Sequence, residues 1–431
     1  MNSYPDNIEK YLQKHGVPEI PDPFTGQKFD LVFTVPVYNE LSYIGSMIES
    51  LEKNTAESIK RTLIIFCVNN SPNDSPEIKN NNFKTIEFLN GFKKNSKFNL
   101  LILDFASAGK ELNEKDAGVG LARKTAMDIS LRYFDYGKIN QGLIFCTDAD
   151  CTVAENAFAT ILDFYDNKHP DAGHAEFAHP LNLDDPNLPA IIIYEIFLRY
   201  YVLGLTLSHS KYAFHTIGST MFCTPGAYVK SEGMNKRKAA EDFYFLEKLA
   251  KNYEISIIKE PLIFPSSRES LRVPFGTGKR VTRYNLKVQN EYLLYNPESF
   301  EILKKWHNFY NALDHFNVKA VNEEVLKISP VLLKFFESIK FFDKLAMLFK
   351  NSKTTNHLER QKKNLMDAFL TLKLMHYLRD NAFPELDSFE AVKILTGKCG
   401  ITTQSLIHGK KLNIEEQTGY LKLLRNYFWQ K

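Results

Sequence analysis

The sequence predicts an α/β protein: a mainly parallel sheet flanked by helices, followed by an α-helical C-terminal region. Three observations predict it. Short apolar, β-branched runs alternate with helix-length stretches up to about residue 284. Those runs are continuously apolar rather than alternating, the pattern of strands buried on both faces. From about residue 285 helical periodicity takes over and runs to the end. With 431 residues, 44% of them hydrophobic, the chain can build a sizeable core in two domains, or in one domain with an appendage. The expected division is a lead-in segment at 1–28, an α/β domain at 29–284 and a helical region at 285–431.

The lead-in is polar and carries Pro18, Pro21 and Pro23. The first strand is DLVFTVPV, ended by Pro36, and Asn39 and Glu40 open the helix in NELSYIGSMIESLEKN. RTLIIFCV is the second strand, with the turn-rich NNSPNDSPE and a polar helix behind it. FNLLILDF is the third, followed by a glycine-containing loop and the helix of GVGLARKTAMDISLRYFD. GLIFCTDAD is the fourth, before the helix of AENAFATILDFYDN. Crossovers between parallel strands are right-handed. Ligands of such sheets bind outside the carboxyl ends of the strands. The segments to read first are therefore Pro36–Glu40, Asn69–Asp74, Asp104–Lys110 and Thr147–Asp150.

The greasiest stretch, LPAIIIYEIFLRYYVLGLTL, contains Glu195 and Arg199 and is expected to be a buried helix rather than a membrane span. VLLKFFESIKFFDKLAMLFK reads as a basic amphipathic helix. Such a helix packs on its own domain or on a second copy, or lies on the inner face of a membrane. The N-terminus shows no apolar signal region, and the five cysteines form no C-x-x-C pair. The expectation is a cytoplasmic protein with reduced thiols. A net charge of +3 gives no bulk field for nucleic acid, and no nucleic-acid partner is expected. The aromatics, 13% of the chain, are assigned first to the core.

Two aspartates one residue apart, Asp148 and Asp150, directly follow the fourth strand. Oxygen ligands of this kind suit Mg²⁺ or Mn²⁺, and two carboxylates suffice when substrate phosphates complete the shell. The competing assignment is an N-cap for a helix beginning near Ala154. Arg123 could face a diphosphate at the same edge or point to solvent. Glu241 and Asp242 open a helix, where acidic residues are favoured by the dipole alone. Asp242 would be a general base only within reach of an acceptor hydroxyl. Arg268, Arg272, Lys279 and Arg280 surround a glycine-rich turn, either as a phosphate clamp or as a solvated loop. Gly118 and Gly120 lack the third glycine of a dinucleotide fingerprint.

Taken in order, VPVYNE, VNNSPND, GLARKTAMD, TDADC, IGSTMF and GMNKRKAAEDFYFLEKL resemble the family 2 glycosyltransferases of the GT-A fold. That fold is a Rossmann-like, mainly parallel sheet, and the resemblance spans roughly residues 29 to 284. The polypeptide N-acetylgalactosaminyltransferases are a more distant likeness. The resemblance implies that the segment of Pro36, Tyr38 and Glu40 holds the base and ribose of a nucleotide. Asn69 and Asn70 stand where the family usually carries an aspartate that reads uracil, with Asp74 farther on. Ala122-Arg123-Lys124 matches the family's Ala-Arg-Asn, with lysine for asparagine. Asp148 and Asp150 become the metal site for Mn²⁺ or Mg²⁺, Asp150 the direct ligand. Gly218 and Ser219 join the substrate site, as does Glu241. Asp242 becomes the base, and the 265–281 loop with Arg268, Arg272 and Arg280 closes over the donor diphosphate.

The implied activity is metal-dependent hexosyl transfer, with inversion. The donor is a nucleotide-diphosphate sugar, UDP ahead of GDP, and the acceptor is a carbohydrate or lipid-linked hydroxyl. The alternative is a non-catalytic nucleotide-sugar scaffold or sensor with a partner-binding helical tail. The C-terminal helices are the candidate surface for a homodimer or for peripheral membrane contact. A nucleotidyltransferase would need a glycine-rich basic loop after the first strand, which VPVYNE lacks.

Overall fold

Strand β1, Leu31–Val37, is buried at every position, as its unbroken apolar run requires. The structure is a computed structural model and describes residues 4–20, 23–113, 117–270, 276–403 and 412–430. The chain divides into two units, one of residues 1–180, 216–279 and 428–431, the other of 181–215 and 280–427.

The first unit is built on an eight-stranded sheet. After β1 come β2 (Thr62–Asn69), β3 (Asn99–Phe105), β4 (Leu143–Cys146), β5 (Thr152–Val153), β6 (Ala172–Phe177), β7 (Met221–Cys223) and β8 (Ile255–Phe264). Their order across the sheet is β3-β2-β1-β4-β7-β6-β8-β5. The pairs β1–β2, β2–β3, β1–β4 and β6–β8 are parallel. Strand β7 is antiparallel to both neighbours, and β5 to β8. The fold is thus α/β with a mainly parallel, mixed sheet. The helices Leu41–Glu52, Pro76–Asn95, Val119–Ser130 and Ala157–Lys168 fall where the periodicity puts them. Phe33 and Phe145 stack at 4.9 Å in the core between β1 and β4.

Pro36 does not end β1; it lies within the strand, opposite Cys67 of β2. On the other side, β4 stops at the Thr34–Cys146 pair, and the Thr147 amide donates to the Thr34 carbonyl at 3.1 Å. Polar groups two residues apart on a strand point the same way, so Pro36 faces past the end of β4. Its missing N–H leaves no ladder bond unmade.

Reversal of β7 matters for the site. A strand antiparallel to β4 enters the sheet where β4 leaves it. The Gly218–Thr220 segment therefore meets the Thr147–Asp150 turn at one edge. Strands β6 and β8 end at that edge too, since Phe264 at the end of β8 pairs with Thr152.

The second unit is mostly helical. Its helix Leu188–Leu207 is long and apolar enough to cross a membrane, and 67% of its most apolar window is buried. Glu195 and Arg199, which interrupt the run, are both fully buried, and Glu195 also binds Arg425 at 2.6 Å. The stretch expected as one amphipathic helix is two, Pro330–Ser338 and Phe341–Asn351. Lys340, with φ at +53°, breaks it in the left-handed region.

Candidate functional site

The site grows from the turn after β4. Its backbone is closed by Cys151 N donating to Asp148 O at 3.1 Å, with Ala149 buried between the two aspartates. The next helix does not begin until Ala157, behind β5, with Asn156 at its N-cap position. The aspartates are therefore not its N-cap. Oxygens of Asp148 and Asp150 and the sulfur of Cys151 lie within 4.8 Å of one another.

Arg123 sits just over one turn into the helix Val119–Ser130 and is 2% exposed. It does not point to solvent. Its guanidinium donates to Asp148 through Nη2 and to Glu241 through Nη1. Burial disfavours its charge, but attraction to Asp148 and Glu241 outweighs that and raises its pKa. Gly218 packs flat on this guanidinium, where a Cβ would stand 2.4 Å from Nη1.

Glu241 and Asp242 open the helix Glu241–Ala250. Burial pushes the Glu241 carboxyl up to about 7, against the pull of Arg123, with repulsion from Asp242 adding to the rise. Asp242 is also raised, first by burial. Its Oδ2 accepts from Gly218 N at 2.9 Å and its Oδ1 from Phe243 N at 2.7 Å. Two backbone donors thus fix the carboxylate's direction.

A second ion chain serves the other aspartate. Arg268, following β8, donates from Nε to Asp150 at 2.7 Å and from Nη2 to Glu40 at 2.6 Å. Its guanidinium lies 4.3 Å over the Tyr43 ring. Five carboxylates (Glu40, Asp148, Asp150, Glu241, Asp242) thus meet two guanidiniums, an excess of three negative charges when all ionise.

That excess and the hard oxygen donors of Asp148 and Asp150 fit a divalent Mn²⁺ or Mg²⁺. Cys151 is a poor third ligand for such an ion. It is buried, and burial pushes its thiol well above the ordinary range.

The positions expected to hold a nucleotide divide. The Tyr38 hydroxyl donates to Asp74 at 2.9 Å, and both side chains are half-buried. Asn69 and Asn70 are buried, their amide nitrogens taken up by Val37 O at 3.0 Å and Ala106 O at 2.6 Å. Asn82 bridges them, bonding Asn69 O at 3.0 Å and the Asn70 side chain. Pro36 and Glu40 are buried, and Ser219 is buried against the Cys151 thiol.

Arg268 joins the acidic turn, but Arg280 belongs to the second unit, where it pairs with Glu291 and lies 4.2 Å from the Phe197 ring. Arg272 lies outside the described residues. Instead of an open glycine-rich turn, Thr277–Asn285 is helical. Two contributors escape the sequence reading of the site: Tyr43 and Asn82. Tyr43 could have been found three residues beyond Glu40, one helical turn away. Asn82 carries no local signal.

No family model matches the sequence, and no curated protein matches it. Among solved structures, the chain is similar to S. aureus TarS 1–349 in complex with UDP-GlcNAc, at 13% identity and a TM-score of 0.39. That likeness covers 82% of this chain and 92% of that one. It is also similar to the mannosyltransferase PcManGT from Pyrobaculum calidifontis in complex with GDP-Man and Mn²⁺. There the identity is 13% and the TM-score 0.35, over 99% of this chain and 95% of that one. At these scores the likeness carries no inference about the chemistry of this chain.

Proposed function

We propose that the chain is a metal-dependent glycosyltransferase of the GT-A type, family 2. It moves a sugar from a nucleotide-diphosphate donor, UDP ahead of GDP, to an acceptor hydroxyl with inversion. One observation carries the reading: buried Arg123 ties the acidic turn to Glu241, immediately beside the candidate base Asp242. Chance surface acids would have no reason to share a buried guanidinium, since isolated buried charges are costly.

Asp148 and Asp150 would hold Mn²⁺ or Mg²⁺. When bound, the ion neutralises charge growing on the departing diphosphate. Arg268, held between Asp150 and Glu40, adds fixed positive charge at that end. Tyr38 and Asp74 offer a ring and a carboxylate to the nucleotide. Asp242 takes the proton of the acceptor hydroxyl; burial makes it more basic, and Gly218 and Phe243 amides aim it. A single displacement needs only this one base.

The experiment is sugar release and transfer from UDP- and GDP-sugars by the full chain, with Mn²⁺, with Mg²⁺ and with EDTA. Metal-dependent turnover, lost in Asp242→Asn, is expected. Binding of UDP or GDP with no release of sugar under any condition would replace this reading with the non-catalytic sensor.

A further inference from the structure

The helix Asp6–Lys14 has no part in the chemistry proposed above, yet it is built into the first unit. Its buried residues, Ile8 and Tyr11, stand three apart and set the docked face. At its end Lys14 and His15 reach Glu232 at 2.6 and 3.2 Å. Just beyond, the carbonyls of Val17 and Pro18 accept from Arg132 at 3.2 and 2.7 Å. Exposed contacts of this kind hold weakly. Tyr11 is held differently. Its hydroxyl accepts from Lys124 Nζ at 2.8 Å and donates to Asp128 Oδ1 at 2.8 Å. Burial and the Asp128 charge keep that hydroxyl protonated, as a donor must be. Asp128 also accepts from the Tyr228 hydroxyl at 2.6 Å and pairs with Lys124 at 2.9 Å, and all four side chains are buried.

The hydroxyl also fills the space that Gly233 leaves. A Cβ there would stand 1.8 Å from it, and φ of Gly233 is +65°. The Gly233 carbonyl in turn accepts from Lys248 at 2.8 Å. Two helices are thus joined at one hydroxyl. Lys124 and Asp128 lie on Val119–Ser130, Lys124 next to Arg123. Lys248 lies on Glu241–Ala250, the helix that opens with Glu241 and Asp242. Neighbouring side chains on a helix stand about 100° apart, so a turn pinned at Lys124 cannot roll without swinging Arg123. A packed tyrosine usually does no more than fill a core. This one bonds a buried lysine and a buried carboxylate on the helix of the site's arginine. We infer that Tyr11 is a positioning residue: from the N-terminal helix it fixes Arg123 relative to Glu241 and Asp242. Its effect on turnover rests on the glycosyltransferase reading; the coupling between the helices does not.

The test uses the full chain with Tyr11→Phe, which keeps the ring and removes the hydroxyl. Ile161→Val, in the buried core of the same unit, controls for loss of stability alone. Circular dichroism checks that each variant is folded. First, Tyr11→Phe is combined with Glu241→Gln in a double-mutant cycle read by urea unfolding. Their effects on the unfolding constant are expected to depart from additivity by about threefold or more. Ile161→Val combined with Glu241→Gln should be additive. Second, in sugar-transfer assays with Mn²⁺, Tyr11→Phe is expected to lower kcat about tenfold and leave the donor KM nearly unchanged. Ile161→Val should keep the wild-type kcat. Additivity of Tyr11→Phe with Glu241→Gln, or a kcat no lower than that of the control, overturns the inference. Coupling in a chain that transfers no sugar upholds the positioning of Arg123 and counts against the glycosyltransferase reading instead.

Discussion

Gly218 lies against the guanidinium of Arg123 so closely that a single added carbon would stand 2.4 Å from Nη1. The same residue donates its amide to Asp242 at 2.9 Å. One glycine therefore sets both the arginine and the candidate base. Gly218→Ala should cost about 1–3 kcal/mol by overpacking, read by urea unfolding. It should also lower turnover, because Arg123 must move. Unchanged stability and turnover would mean that the contact relaxes freely.

Asp148 and Asp150 should report on metal by mass action. Mn²⁺ at one hundred times its dissociation constant is expected to stabilise the folded chain by about 2.7 kcal/mol. Asp148→Ala and Asp150→Ala should each abolish the Mn²⁺-dependent rise in melting temperature. A rise that survives in both variants would place the ion elsewhere.

Glu241 gives a pH dependence with a definite sign. Its carboxyl is raised from 4.5 to about 7, chiefly by burial. Between those values the folded state keeps a proton that the unfolded state has released. Stability contributed by this group therefore falls as pH rises through that window. Glu241→Gln, neutral throughout, should flatten that part of the stability profile in urea melts taken across it.

Asn82 is a buried hub with no chemistry of its own. It accepts from Asn39 N at 2.7 Å and donates to Asn69 O and to the Asn70 side chain. Asn82→Ala leaves several buried polar groups unpaired and should cost about 3 kcal/mol. Nucleotide affinity should fall with it if Tyr38, one residue from Asn39, loses its position. A calorimetric titration with UDP and GDP measures this.

In the helical unit, the single Glu195 carboxylate is shared by two buried arginines, Arg199 and Arg425. Glu195→Ala removes the carboxylate that both share and should cost about 3–5 kcal/mol. A triple change that replaces Glu195, Arg199 and Arg425 with apolar residues should recover part of that loss in chemical denaturation.

Much of this protein was legible in order along the chain. Strands β1, β2 and β4 are mainly apolar runs buried at every position, edge strand β3 is a half-buried one, and their helices follow the expected periodicity, because burial of successive residues leaves a local signature. Strand β6, AGHAEF, has no such signature: His174 and Glu176 are buried in it by tertiary packing alone. The short β5 and β7 were equally silent, being two and three residues long. Lys340 splitting one helix into two was decided by a backbone angle, not by periodicity.

For the site, residue order alone singled out the Asp148–Asp150 turn, Arg123, Asp242 and Arg268 as candidates. It could not choose between a cap and a ligand pair, or between a buried and a solvated arginine. The cap is excluded because the next helix begins only at Ala157, and the arginine is buried because it pairs with Asp148 and Glu241, which the reversal of β7 and the helix Glu241–Ala250 bring to one edge. Charges far apart in sequence acquire partners only when strands meet, and burial then fixes which of them can stay ionised.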